Sequence, residues 1–333
     1  MATNACLFSR LRPGKLSTKK VHGFLALPGE VRNITYKYYF RSDVRCEFAA
    51  KGCHFTQFKR RLVKLRSNLV HMNDHSTKQE KERPITIRVS RKLGKYNIVR
   101  GLQTNWLASV YALNLVCKLI HVETLAFLYS NTVFVFESPR RITNFLEIVS
   151  KPNLENITKL QLHYATYGAP NHLDDTIWQD KHTKTWTRAC NTASKKLSCL
   201  RELEIWIKVN HSPLRFNLRE NWVKPLLQFR RLTCTSKLGD GSTTSDPPTA
   251  HQKKLEIVNV HIRTRWSENP LAAFDYNKEL ARASSDLHVV FGRAVSLAIL
   301  GAKEDHAMAD FNTAWRETHQ AWQYHLGYGK IDW

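Results

Sequence analysis

LNLVCKLIHVETLAFLYSNTVFVF, residues 113–136, joins two periodicities in one run. Leu113, Val116, Cys117, Ile120, Phe127 and Leu128 recur at the i, i+3, i+4, i+7 spacing of one helix face. Tyr129-Ser130-Asn131 breaks that period, and Val133-Phe134-Val135-Phe136 then reads as a short buried strand. The stretch predicts a helix feeding a strand, and with it a mixed α/β fold. A shorter partner lies upstream at residues 27–36, LPGEVRNITY. Pro28 suits a first helical turn, where its missing N–H costs nothing. Val31, Ile34, Tyr38 and Tyr39 then supply a partial apolar face.

With 333 residues, 42% of them hydrophobic, the chain can bury the core of one large or two modest domains. Seven cysteines with no framework spacing suit a reducing compartment better than a disulfide-stapled secreted fold. The first 20 residues are basic but hold no apolar core segment, so no signal peptide is expected. The most apolar late run, residues 289–300, is interrupted by Gly292 and Arg293 and is too short to cross a bilayer. These features predict a soluble, intracellular chain, cytoplasmic or nuclear. Fifty-one Lys and Arg against 28 Asp and Glu leave a net charge of +23, which invites an anionic partner or simply solvates the surface.

Residues 1–20 read as a basic flexible tail, 21–136 as a helical region, and 137–333 as an α/β domain with C-terminal helices. Within the second of these, residues 46–104 or so look like a basic insertion. Residues 56–100 hold thirteen Lys and Arg against Asp74, Glu80 and Glu82. Lys59, Arg60, Arg61, Lys64, Arg66, Arg91 and Lys92 are the candidate anion-binding residues, and nucleic acid is the partner they would serve. Phe55, Phe58 and Tyr96 are few aromatics for stacking on single strands.

Past Phe136 a weak repeat appears. Leu154, Ile157, Leu160 and Leu162 sit at offsets 0, 3, 6 and 8, and Leu197, Leu200, Leu203 and Ile205 repeat them. Leu226, Phe229, Leu232 and Cys234 read as a third copy, with Leu255 and Ile257 as half of a fourth. The form is close to a leucine-rich pattern in which each copy gives a strand to a stacked sheet, in a degenerate version or as an ordinary α/β sheet. Trp178, His182, Thr185, Trp186, Ala189 and Ala193 predict a helix between the first two copies. Residues 237–252 read as a loop. Two closing helices are expected, at about 271–300 and around Phe311, Trp315, Thr318, Trp322 and Leu326.

Chemistry is thinly represented. Cys46, Cys53, His71 and His75 form a C-x6-C-x17-H-x3-H array, but the first two gaps are wider than in a zinc finger, so they read as loop residues without a metal. No Gly-rich phosphate loop, G-x-S-x-G, H-E-x-x-H or kinase signature is present, and no cofactor is expected. Asp174-Asp175 reads as a helix start favoured by the dipole. The tryptophans fall mostly at apolar-periodic positions and read as core. An enzyme is not expected.

Three blocks carry a resemblance. Leu27-Pro28-x-Glu30-Val31-Arg32-Asn33-x-x-Tyr36 is the first. Val116-Cys117-Lys118-x-Ile120-x-x-Glu123 and Phe127-Leu128-Tyr129-Ser130-Asn131-x-x-Phe134-x-Phe136 follow. Together they resemble a group of fungal F-box-like proteins with an L-P-x-E-I-R-x-x-I-Y box, a V/T-C-R-x-I-x-x-E helix and an L-Y-x-x-N-x-F-x-F strand. The resemblance implies a helical F-box-like part leading into a leucine-rich-like repeat. It also implies docking of a Skp-family linker of a cullin ubiquitin ligase through Leu27, Pro28, Val31, Val116, Cys117 and Ile120, with an unknown protein substrate held by the C-terminal part. Two departures stand out: Thr35 replaces the family's Ile, and about seventy residues separate the box from the V-C helix.

Overall fold

Strand-forming and helix-forming segments alternate after residue 40, and the computed structural model gathers the strands into one wholly parallel sheet. It describes residues 23–40, 44–50, 85–89 (backbone only), 113, 116–167, 173–210, 215–233, 255–264, 277–320 and 323. The chain divides into two units, Met1–Tyr39 and Phe40–Trp333.

In the first unit a 3-10 turn at Gly23–Ala26 leads into α1, Gly29–Tyr39. Gly23 has φ 77°, which a side chain would resist. The Pro28 carbonyl accepts from the N–H groups of Val31 and Arg32, so the proline opens the helix as its geometry predicts. The Arg32 guanidinium donates to the Leu27 carbonyl, and Phe24 sets its ring edge against the buried Tyr36 at 5.8 Å.

In the second unit the strands are β1 (Val44–Phe48), β2 (Ile85–Val89), β3 (Thr132–Phe136), β4 (Lys159–Ala165), β5 (Glu202–Lys208) and β6 (Ile257–Arg263). Their order is β2-β1-β3-β4-β5-β6, so from β3 onward each strand pairs with the next in sequence. The helices are α2 (Lys118–Asn131), α3 (Pro139–Ile148), α4 (Lys151–Glu155), α5 (Leu173–Lys196), α6 (Lys278–Ile299) and α7 (Glu304–Thr313). A 3-10 segment, Leu226–Leu232, lies between β5 and β6 in the chain. α3, α5, the 3-10 segment, α6 and α7 pack side by side in that order.

Parallel pairing carries matching residues into register. Cys46, Phe134, Leu160, Leu203 and Val258 form one ladder; Phe48, Phe136, Leu162, Ile205 and Val260 form the next. Both belong to one buried core with the helices. Phe48 stacks on Phe136 at 4.8 Å, and Phe145 of α3 closes on both. Trp186 of α5 covers Tyr164 at 4.9 Å. On α6, Asn277 caps the N-terminus by accepting from the N–H groups of Glu279 and Leu280. Gly292 brings that helix onto β6 so closely that a Cβ there would lie 2.5 Å from the Val260 carbonyl oxygen.

Several expectations need correcting. α2 does not end at Tyr129: it starts at Lys118 and runs through Asn131 straight into β3 without a loop. Hydroxyls make this possible by taking the carbonyls a helix end leaves open. Thr132 Oγ1 donates to Leu128 and Thr158 Oγ1 to Ser130, while the Asn131 amide donates to the Phe40 carbonyl. The basic region at about 46–104 is not wholly an insertion, because Cys46 lies in β1 and residues 85–89 form β2. Nor does the chain divide after Phe136, since β3 sits inside the same sheet as β4–β6.

The first two copies of the leucine pattern do align, Leu160 with Leu203 and Leu162 with Ile205. The third falls on the 3-10 segment instead of a strand, with Leu226 and Phe229 buried. β6 pairs through Val258 and Val260, each three residues beyond Leu255 and Ile257, the residues that the fourth half-copy places there: Leu255-Val258-Val260 repeats the 0, 3, 5 offsets of Leu200-Leu203-Ile205, and Ile257 is exposed. The helix begun by Asp174 and Asp175 and the two closing helices are present, though the last ends at Thr313 and passes into a π turn, Ala314–Thr318. Residues 1–20, 237–252, Trp322 and Leu326 lie outside the described residues.

Candidate functional site

α1 presents apolar side chains outward. Val31, Ile34 and Tyr38 follow i, i+3, i+7 spacing, one face of the helix, and Leu27 lies in the bend just before it. All four are exposed, Ile34 at 53% and Tyr38 at 72%. Pro28 is exposed as well. Of this face the sequence pointed to Leu27, Pro28 and Val31 as docking residues; Ile34 and Tyr38 belong with them, and their helical spacing from Val31 was the available signal. Thr35, where the F-box-like motif has Ile, is exposed and donates its hydroxyl to the Val31 carbonyl.

In the second unit, Cys117 is the N-cap of α2, with extended backbone (φ −158°, ψ 166°). Val116 is exposed and Cys117 half-buried, but Ile120 is buried at 4% exposure and so offers nothing to a partner in this conformation. The exposed apolar residues here are Val116, Leu119 and Val122, the last at 69%. Sequence reading chose Ile120 because the V-C-x-x-I pattern names it; the i, i+3, i+6 spacing from Val116 picks out Leu119 and Val122.

The sheet surface opposite the apolar ladders is polar. Arg45 donates from Nε to Glu47 Oε1 at 2.7 Å and from Nη1 to Gln161 Oε1 at 2.5 Å, reaching over β3, which presents only Val133 and Val135 there. Gln161 Nε2 lies 2.9 Å from His163 Nε2. In the next row His163, Trp206 and His261 are in register, with Trp206 stacked on His261 at 4.1 Å. The Trp206 indole donates to Glu204 Oε1 at 2.9 Å, and that oxygen is 3.6 Å from His261 Nε2. Glu47, Gln161, His163 and Trp206 are buried. Arg45, Glu47, Gln161, Glu204 and Trp206 spend these hydrogen bonds within the face, and a one-residue slip of register would carry charge into the core. Neither the sequence motifs nor the helical periodicity pointed to this face.

Cys46 is a strand residue within the core, not a loop residue, and burial pushes its thiol up to about 12. Cys53, His71 and His75 lie outside the described residues, as do Lys59, Arg60, Arg61, Lys64, Arg66, Arg91 and Lys92. Among the described residues no group of three or more His, Cys, Asp or Glu could hold a metal ion, and no helix is long and apolar enough to cross a membrane. Of the tryptophans described, Trp186, Trp206, Trp222 and Trp315 are buried, whereas Trp178 is exposed.

Comparison with known proteins adds a family. Residues 18–230 match the family model described as a domain of unknown function, DUF7730. That stretch is more than half of the chain, and the protein belongs to this family. It runs from α1 to the 3-10 segment and stops short of β6, α6 and α7. No curated protein and no solved structure matches.

Proposed function

We propose that the protein is a non-enzymatic protein-binding module, an F-box-type substrate adaptor that docks a Skp-family linker of a cullin ubiquitin ligase through α1. The observation that carries this reading is the exposed row Leu27, Val31, Ile34, Tyr38. A helix in a small unit ordinarily buries its apolar face, and large exposed apolar patches mark interaction surfaces. The likeness of LPGEV to an F-box turn supplies the identity of the partner. The polar sheet face, whose groups are engaged with each other, favours a scaffold over a catalyst. Val116, Leu119 and Val122 form a second apolar set that is tested separately.

The test is co-purification of the full chain with a purified Skp-family linker, in moderate salt with nuclease. The wild type should form a stoichiometric complex. Val31→Asp with Ile34→Asp should weaken it by roughly 100-fold or more, as expected when two buried interface anchors are charged. Because both side chains are exposed, thermal stability should stay within a degree or two of wild type. Val116→Asp gives the separate measure of the second set. Full binding by a folded α1 variant removes α1 from the interface. No complex from folded wild type removes the adaptor reading.

A further inference from the structure

α5 carries a row of cations along its outer face. Lys181, Lys184, Arg188 and Lys195 stand at i, i+3, i+7 and i+14, and Asn191 fills the i+10 position. Asn191 Oδ1 accepts from Arg231 Nη1 at 2.7 Å, so the 3-10 segment lends a guanidinium to the one gap in the row. The four α5 cations and Arg231 are exposed. The opposite face of α5 buries Trp186, Ala189, Cys190 and Ala193, which fixes the row toward solvent.

Residues 181–201 hold six Lys and Arg and no Asp or Glu, and residues 221–233 hold three and none. Among the described residues, the only carboxylate paired with the row is Asp180, on Lys184, an exposed i, i+4 pair of the kind that contributes little. Helix-end electrostatics do not account for the row. Lys195 stands in the last turn of α5, where the dipole favours a cation, and Lys196 beside it donates to the Leu146 carbonyl of α3 at 2.7 Å, but Lys181, Lys184 and Arg188 lie too far from the C-terminus for the dipole to matter.

We infer that this ridge binds the phosphodiester backbone of a nucleic-acid strand. The reasoning is independent of the docking role of α1. Fourteen residues of helix extend for roughly 21 Å, so the charges recur about every 5 Å in a line. A line of cations matches a regularly charged linear polymer; a compact anion could use only two of them. Two of the five are arginines, whose forked guanidinium suits phosphate. At the start of the row Trp178 is half exposed, with Lys181 Nζ over its ring at 4.6 Å from the centroid, so an aromatic side chain and a cation sit together where a strand would enter. The net charge of +23 would draw a polyanion to the chain from a distance.

The test is a fluorescence-anisotropy titration of the full chain with a labelled 20-nucleotide single strand, from 50 to 200 mM salt. A triple variant, Arg188→Gln, Lys195→Gln, Arg231→Gln, is compared with a control, Lys278→Gln, Arg293→Gln, Lys303→Gln, which removes equal charge from α6 and the start of α7. The ridge variant should lower the log–log salt slope by roughly 2, at about 0.7 per phosphate contact, and the control should leave it unchanged. A slope unaffected by the ridge variant overturns the inference, and so does an equal loss in both triples. Polyglutamate bound through the ridge, with no binding of the single strand, overturns it in favour of an acidic protein.

Discussion

Protonation of one buried side chain should set the acid limit of the fold. His288 on α6 places Nδ1 2.6 Å from the Ser284 carbonyl oxygen, which requires a proton on Nδ1. Nε2 is then the acceptor for the Thr264 hydroxyl at 3.0 Å, so the ring is neutral with both nitrogens used. Burial pushes its pKa down to about 4 from 6.5. The unfolded chain therefore takes up this proton first. The contribution is complete above pH 6.5 and is lost as pH falls toward 4, by up to roughly 3 kcal/mol at 1.36 kcal/mol per pH unit. Urea titrations at pH 7 and pH 4.5 should show the wild type losing roughly 2–3 kcal/mol more than His288→Gln over that interval. Equal losses would place the acid sensitivity elsewhere. His288 was invisible as a special residue in the sequence, where it sits in an ordinary apolar helix; only the approach of Thr264 from the end of β6 gives it a role.

The elements were legible where one period held for long enough. α5, α6 and the strand VFVF follow from spacing alone, and the box at Leu27-Pro28 opens a helix as proline geometry requires. Reading failed where side-chain hydrogen bonds override the period: Thr132, Thr158 and Asn131 hold α2 together through three residues whose apolar spacing had lapsed. It failed again where an apolar segment had another use, since Leu226 and Phe229 bury a 3-10 turn between α5 and α6 and not a strand. The alternation Ile85, Ile87, Val89 is a strand signal set inside a region whose charge argues for a solvated insertion. The exposed apolar face of α1 was half legible, in that a motif marks sequence positions, whereas exposure depends on which side of the helix the fold covers. At this scale Gly292→Ala is decisive for the α6–β6 contact. A methyl at 2.5 Å from the Val260 carbonyl oxygen forces α6 off the sheet, and the variant should lose roughly 1–3 kcal/mol and several degrees in melting temperature. Gly301→Ser, at a helix end with φ 97°, would be strained for a different reason and is not a substitute test.

For the whole molecule, the limit of the family match and the limit of the sheet do not coincide. The match stops at residue 230, but β5 pairs with β6 over seven residues and α6 and α7 close the same core. A chain ending at residue 232 would bare the β5 edge together with Leu226, Phe229 and Ile205. It should lose near-ultraviolet circular dichroism and bind a hydrophobic dye, or precipitate. A cooperative melt from such a chain would show that β6, α6 and α7 are an accessory layer instead. The parallel order, in which each strand from β3 on lies beside its successor, also means that each added layer needs the one before it as a template.

The join between Asn131 and Thr132 has no slack. Insert one residue there, and the chain must either rotate α2 by about 100°, turning Leu119 and Val122 to a new bearing, or invert β3 so that Val133 and Val135 enter the core in place of Phe134 and Phe136. Neither can be absorbed locally. Length variation among relatives should therefore be forbidden at this point, and the compass direction of the α2 surface should be inherited together with the centre of the sheet.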